Sequence, residues 1–337
     1  MMTKVLATGT IMVDILAVEL ERIANPGEIA YLDREVEARI GGHPIDVGID
    51  LVKLAHNPED IGVIAAIGKG LFGDYSKKII GQYGLRSFLQ EIEETDTGKN
   101  IVLEKRGEDR RFHIDPGANW YLDPEFVRAN IREVSPRVFC VRPGYCGIDL
   151  YLEEIFREVK AHNCFLFLDM MQFHPERPKG LLSPLFHYTD AVHCNEKEAM
   201  VNTGKDHPEE AIREILEQGA KVIFLTKGDK GAELITQEFS ITQPRFEVEF
   251  IDATGAGDAF CAGIVHKLIE LNELGNVHKL SEDKLVEILM MGQAVGASAT
   301  TAAGCVEGVS KDKVAQIMSD QRETILSNTK VQPSPFK

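Results

Sequence analysis

The stretch Ile251-Asp252-Ala253-Thr254-Gly255-Ala256-Gly257-Asp258-Ala259-Phe260-Cys261-Ala262-Gly263 sets two acids around a Thr-Gly-Ala-Gly turn and runs straight into an apolar helical segment that continues to about Leu271. Gly255 and Gly257 admit backbone conformations closed to residues with a Cβ, so consecutive amides can converge on one point. The helix adds its unsatisfied N–H groups and the positive end of its dipole. Such a corner suits a phosphate, yet Asp258 puts a carboxylate in it. That is electrostatically unfavourable unless the carboxylate has a task, and the task that fits is accepting a proton from a hydroxyl that attacks phosphorus. An isolated Gly-x-Gly-Asp more often marks a capped helix start, so the rest of the chain decides between the two.

With 337 residues, 44% of them apolar, the chain can bury a large core. A net charge of -16 argues against a nucleic-acid-binding surface. Six cysteines form no CxxC pair and sit mostly in apolar runs, the usage of a reducing cytoplasm. Met1 to Ala7 lacks the apolar core of a signal peptide, and no apolar run approaches the roughly eighteen residues of a membrane span. A soluble cytoplasmic protein is expected.

Strands are predicted at Lys4 to Thr8, in the apolar stretch Ile11 to Leu20, and loosely over Glu28 to Ile40. Asp14 interrupts the second of these, either at a strand end facing a cleft or as a solvated edge residue. Gly41-Gly42-His43-Pro44 then leads into a helix from about Ile45 to Leu54. The diglycine reads equally as close backbone approach to a ligand and as a tight turn.

Strand Ile61 to Ile67 runs into Gly68-Lys69-Gly70-Leu71-Phe72-Gly73 and a helix from about Asp74 to Tyr83. This G-x-G-x-x-G raises a nicotinamide-dinucleotide oxidoreductase as an alternative. Asn100 to Lys105 and Arg110 to Ile114 form a predicted hairpin, and Asp123-Pro124 starts a helix in the Ncap and N1 arrangement. Strands at Val138 to Val141, Cys164 to Asp169, Ala191 to Cys194 and Val222 to Thr226 alternate with helices at about Asp149 to Ala161 and Pro208 to Gln218. Such alternation implies a mainly parallel sheet covered on both faces, with ligands at the carboxyl ends of its strands. A strand at Ala232 to Thr236 and helices at about Asp283 to Thr301 and Lys311 to Leu326 follow. His187 and His193 lack zinc-ligand spacing and read as core or surface residues, and Ser298 as a packing residue.

Taken in order, these signals resemble the ribokinase-like, or PfkB, family of carbohydrate kinases. Asp252-Ala253-Thr254-Gly255-Ala256-Gly257-Asp258 is close to its D-T-x-G-A-G-D signature. Gly41-Gly42 resembles its N-terminal diglycine, Asn195-Glu196-Lys197-Glu198 its N-x-x-E motif, and Thr226-Lys227-Gly228-Asp229-Lys230-Gly231 its nucleotide-binding T-x-G-x-x-G. Gly68 to Gly73 is likewise a family feature. Without the resemblance, Asn195 and Glu198 would read as an N-cap with an N3 acid.

The resemblance implies a ribokinase-like three-layer α/β sandwich over residues 1–330, with a small β-sheet lid from about 14–39 and 99–115 and a frayed tail at 331–337. It implies ATP-dependent phosphoryl transfer to a sugar or polyol hydroxyl. Asp258 would be the base, and the amides of Ala256, Gly257 and Asp258, behind Gly255, the anion hole. Asp14, Gly41, Gly42 and Asp46 would hold the sugar. Asn195, Thr226, Lys227, Gly228, Gly231, Gln293 and Gly296 would line the nucleotide site, with adenine near the Thr301 to Gly304 loop.

Mg2+ would be oriented by Asn195 and Glu198 through water, and a monovalent cation, K+, by Asp252, Thr254 and loop carbonyls. The lid implies a homodimer. The family commonly has Asn where this chain has Asp46, and two acids, Asp14 and Asp46, suit a neutral or cationic polyol better than a sugar phosphate. Arg34, Arg39, Arg106 and Arg142 are the candidates for an opposing phosphate clamp. The same motifs would also suit a nucleoside kinase of this fold or a catalytically silent sugar-binding relative.

Overall fold

The computed structural model describes residues 4–108 and 110–336. Its strands are β1 (Val5–Gly9), β2 (Met12–Leu20), β3 (Glu37–Gly41), β4 (Ile61–Gly68), β5 (Arg86–Ile92), β6 (Gly98–Lys105), β7 (Arg111–Asp115), β8 (Val138–Arg142), β9 (Phe165–Asp169), β10 (Ala191–Asn195), β11 (Ile223–Thr226), β12 (Ala232–Ile235), β13 (Phe239–Gln243) and β14 (Lys330–Pro333). The helices are α1 (His43–Lys53), α2 (Leu71–Gln82), α3 (Pro124–Val134), α4 (Leu152–Ala161), α5 (Glu196–Thr203), α6 (Pro208–Glu217), α7 (Ala256–Glu270), α8 (Glu282–Ala299) and α9 (Lys311–Asn328).

Ten strands form one sheet in the order β14-β13-β12-β11-β10-β9-β8-β1-β4-β5. It is parallel from β11 to β5 and antiparallel from β11 to β14. Both faces are covered, so the central strands are apolar on both sides. Along β4, Ile61, Val63, Ala65 and Ile67 pack into the core made with α1, α7 and α8. Ile64 and Ala66 point the other way, into the core made with α3, α4 and α6. This two-residue alternation gives the helix–sheet–helix layering expected.

A separate four-stranded sheet, β3-β2-β6-β7, carries the lid segments. β2 and β6 run parallel, while β3 and β7 are antiparallel edges. The region 28–36 is not a strand as expected; only Glu37–Gly41 pairs with β2. Its apolar side chains, Ile29, Tyr31, Leu32 and Val36, are exposed rather than packed, so no burial holds the segment as a strand against the lid. The chain end also departs from expectation. Residues 330–333 do not fray but add β14 to β13, with Ile241 opposite Val331, and Pro333 sits at the sheet edge where a missing N–H is tolerated.

The glycines of 68–73 serve the chain itself. A Cβ on Gly68 would lie 2.3 Å from the Thr95 carbonyl oxygen, and one on Gly73 would lie 1.9 Å from the Gly68 oxygen. Segment 95–96 packs directly on this turn, with the Asp96 carboxylate against Gly70, so the glycines answer to a chain contact rather than to a dinucleotide. No helix among the described residues is long and apolar enough to cross a membrane, and the six cysteines are buried free thiols.

Candidate active site

The turn before α7 closes onto the loop after α8. Gly255, the N-cap of α7, has φ 77°, and a Cβ there would come 2.2 Å from the Cys305 carbonyl oxygen. Only glycine meets both demands. The expected three-amide hole is narrower than the sequence implied. Ala256 donates back to the Ala253 carbonyl at 3.2 Å, so the first-turn amides that point past the helix are those of Gly257 and Asp258.

Asp258 is buried in the first turn of α7. Its Oδ1 lies 2.7 Å from His43 Nδ1 and accepts from Arg142 Nη1 at 3.1 Å. The same Arg142 nitrogen lies 3.2 Å from Asp169 Oδ2, and Asp169 Oδ1 is 2.6 Å from His193 Nδ1. Burial pushes the Asp258 carboxyl up, but the Arg142 guanidinium and the His43 hydrogen bond outweigh it and hold it below its ordinary value. Asp169 is lowered in the same way, burial being overcome by Arg142 and His193. Burial disfavours the charged His43 ring, yet bonds to Asp169 and Asp258 leave it raised.

His43, Asp169 and His193 are site residues that the sequence does not single out. His43 directly follows the diglycine, and Asp169 ends the apolar run Phe165–Asp169 as a lone acid, so each carries a weak local signal. Their partnership spans long stretches of chain and leaves none.

Beside this network a cleft of about 570 Å³ opens. Its walls include Asn195, Thr226, Gly228, Gly231, Gln293 and Gly296, together with Ala256 and Gly257 of the turn. Six of the seven expected nucleotide residues therefore share one cavity. Lys227 is the exception: its Nζ is paired with Glu233 Oε2, outside the lining. Asn195 and Glu198 form a capping box on α5, Glu198 N donating to Asn195 Oδ1 at 2.8 Å and Asn195 N to Glu198 Oε2 at 2.9 Å. Glu198 Oε1 stands 3.6 Å from Arg142 Nη2.

On the other side lie the polyol candidates. Gly42 has φ 109° and its amide donates to Asp46 Oδ2 at 3.0 Å. A Cβ on Gly41 would meet Asp14 Oδ2 at 3.2 Å and Asp46 Oδ2 at 3.8 Å, so both acids border the diglycine. Asn100 of the lid donates to Asp14 Oδ1 at 2.8 Å. Burial raises Asp14, and burial with the nearby Asp258 raises Asp46 well above the ordinary carboxylate value. Asp46 Oδ1 and both oxygens of Asp50, one turn further along α1, are buried without hydrogen-bond partners.

The phosphate clamp does not assemble. Arg34 pairs with Glu19, and Arg106 faces Glu21 and Asp33; Arg39 is held by Glu37 and Glu307, leaving only Arg142 beside Asp258. Ser298 is a buried packing residue that donates to the Gly308 carbonyl.

The profile of the pfkB family carbohydrate kinases matches residues 2–312. The chain belongs to that family. A probable fructokinase-4 of Arabidopsis thaliana is 25% identical over 296 residues, 82% of this chain and 86% of the relative. Among solved structures, a ribokinase from Giardia lamblia superposes with a TM-score of 0.82 at 18% identity, covering 95% of this chain and 99% of that one. A fructokinase double mutant from Vibrio cholerae O395, solved with fructose, ADP and potassium ion bound, gives 0.75 at 18% identity, with 94% and 98% covered. As a pfkB carbohydrate kinase, the protein is a sugar kinase that transfers phosphate from ATP to a hydroxyl.

Proposed function

We propose that the protein phosphorylates a sugar or polyol that carries no phosphate, with Asp258 as the base. The observation that carries this is the position of the turn before α7. Through Ala256 and Gly257 it lines the 570 Å³ cleft, and through Asp258 it meets His43, which follows the diglycine bordered by Asp14 and Asp46. ATP in the cleft would bring its terminal phosphoryl group to the Gly257 and Asp258 amides, which suit the charge that develops in transfer. A hydroxyl held by Asp14 and the Gly41-Gly42 backbone would pass its proton to Asp258 as it attacks.

Asn195 and Glu198 would hold Mg2+ through its waters, which neutralises phosphate charge when bound. The fit is partial, since Asn195 lines the cleft while one Glu198 oxygen caps α5. The acids around the diglycine support an uncharged acceptor. Tyr31, Ile101, Phe112 and Ile114 are exposed in the lid region, which supports a homodimer formed through it. A cytoplasmic location fits the free cysteines.

The test is an ADP-release screen with ATP and Mg2+ over ribose, fructose, inositol, 2-keto-3-deoxygluconate, tagatose phosphate and nucleosides. Turnover of an unphosphorylated sugar or polyol is expected. Turnover of tagatose phosphate alone would contradict the substrate class, and turnover of nucleosides alone would make this a nucleoside kinase.

A further inference from the structure

The turn that carries Asp258 begins at Asp252, and both oxygens of that carboxylate are engaged. Oδ1 accepts from the Thr254 amide and the Thr254 hydroxyl, each at 2.8 Å, and lies 2.6 Å from Arg110 Nη1. Oδ2 accepts from the Gly304 amide at 3.0 Å. Four donors therefore engage this carboxylate, three of them on Oδ1. The Thr254 hydroxyl, having donated to Asp252, accepts from the same Arg110 nitrogen. The loop opposite is engaged as well, its Ala303 carbonyl accepting from Arg39 Nη1. Arg39 lies in β3 and Arg110 immediately precedes β7, so both guanidinium groups come from the lid sheet.

These are the groups that the family resemblance assigns to a monovalent cation, and the Vibrio cholerae fructokinase was solved with potassium ion bound. Here they do not fit one, because both side chains are held by Arg110 and a loop carbonyl by Arg39. We infer that Arg110 is a positioning residue that supplies, from the lid, the fixed positive charge at the Asp252-Thr254 end of the turn, so that the kinase works without potassium.

Chemistry favours the exchange. A guanidinium stays charged at every working pH and presents paired donors in a fixed plane, and one Arg110 nitrogen spans the Asp252 oxygen and the Thr254 hydroxyl together. With Arg110 and Asp252 side chains only 21% and 16% exposed, the pair is screened less than a surface ion pair. It also makes order in the Asp258 turn depend on the lid being down, because the charge arrives with the lid. An ordinary staple between lid and body would share the geometry, but cation rescue separates the two: only a vacated ligand set can take potassium.

The inference rests on Asp258 serving phosphoryl transfer, and its test reads out with and without activity. Wild type, Arg110→Ala and Arg110→Lys are compared in choline chloride and in potassium chloride at equal ionic strength, with ATP and Mg2+ present, by ADP release and by thermal unfolding. Wild type should differ little between the salts in both readouts. Arg110→Ala should lose about tenfold in rate in choline and recover in potassium, which should also raise its Tm, while Arg110→Lys should keep partial activity in either salt. Potassium activation or thermal stabilisation of wild type would overturn the inference, as would an Arg110→Ala loss that potassium does not reverse. If Arg110→Ala does not fold, potassium independence of wild type and Arg110→Lys decides it. Should wild type release no ADP in either salt, the reading of Asp258 falls, while the unfolding comparison still decides the cation question.

Discussion

His43 Nδ1 lies 2.7 Å from Asp258 Oδ1, which ties the residue after the diglycine to the carboxylate at the head of α7. The bond helps hold Asp258 below its ordinary value, alongside Arg142 and against burial and the nearby Asp169. A base held low is ionised throughout the neutral range, so its availability is lost only as pH falls through that depressed value.

Replacing His43 by Asn should remove one of the two groups that depress Asp258. The acid limb of the pH–rate profile should then move to higher pH, and kcat should fall by about tenfold to a hundredfold with the KM for ATP little changed. An unmoved acid limb would mean that the His43 contact does not act on the base.

Asp50 is fully buried on α1 with neither carboxylate oxygen hydrogen-bonded, and burial raises it well above its ordinary value. A group raised on folding favours the native state below its unfolded value, and that contribution is lost as pH rises through the folded value. Asp50→Asn should therefore be more stable than wild type at neutral pH, by about 1–3 kcal/mol, with the gain shrinking in acid. Thermal unfolding across pH measures it; equal Tm values at neutral pH would contradict it.

Asp46 borders the diglycine, and its Oδ1 has no hydrogen-bond partner. Asp46→Asn removes a like charge from any anionic acceptor, worth about 1 kcal/mol at partly screened distances. The ratio of kcat/KM for a sugar phosphate to that for its unphosphorylated sugar should rise by roughly fivefold. An unchanged ratio would separate Asp46 from substrate selection.

The sequence is informative where chemistry is local. β4, β8 and β9 hold continuous apolar runs, and Asp252 to Asp258 combines a turn, an anion site and an acid within one short stretch. Asn195 and Glu198 are open to two readings, and the capping one is realised without removing Asn195 from the cleft. The outer strands β5, β13 and β14, of which β5 and β14 are the edges, escape a sequence reading because they mix polar and apolar residues and are held by pairing with neighbours. The network of Asp258, His43, Asp169 and Arg142 escapes it too, since it joins four separate elements. So does the capture of Asp252 by Arg110, which depends on how the lid sits over the body.

Asp258→Asn tests the central claim most directly, because it keeps the shape and removes the base. ATP binding by calorimetry should match wild type, while ADP release with the acceptor sugar should fall by about a hundredfold or more. Turnover near the wild-type rate would contradict the role of Asp258.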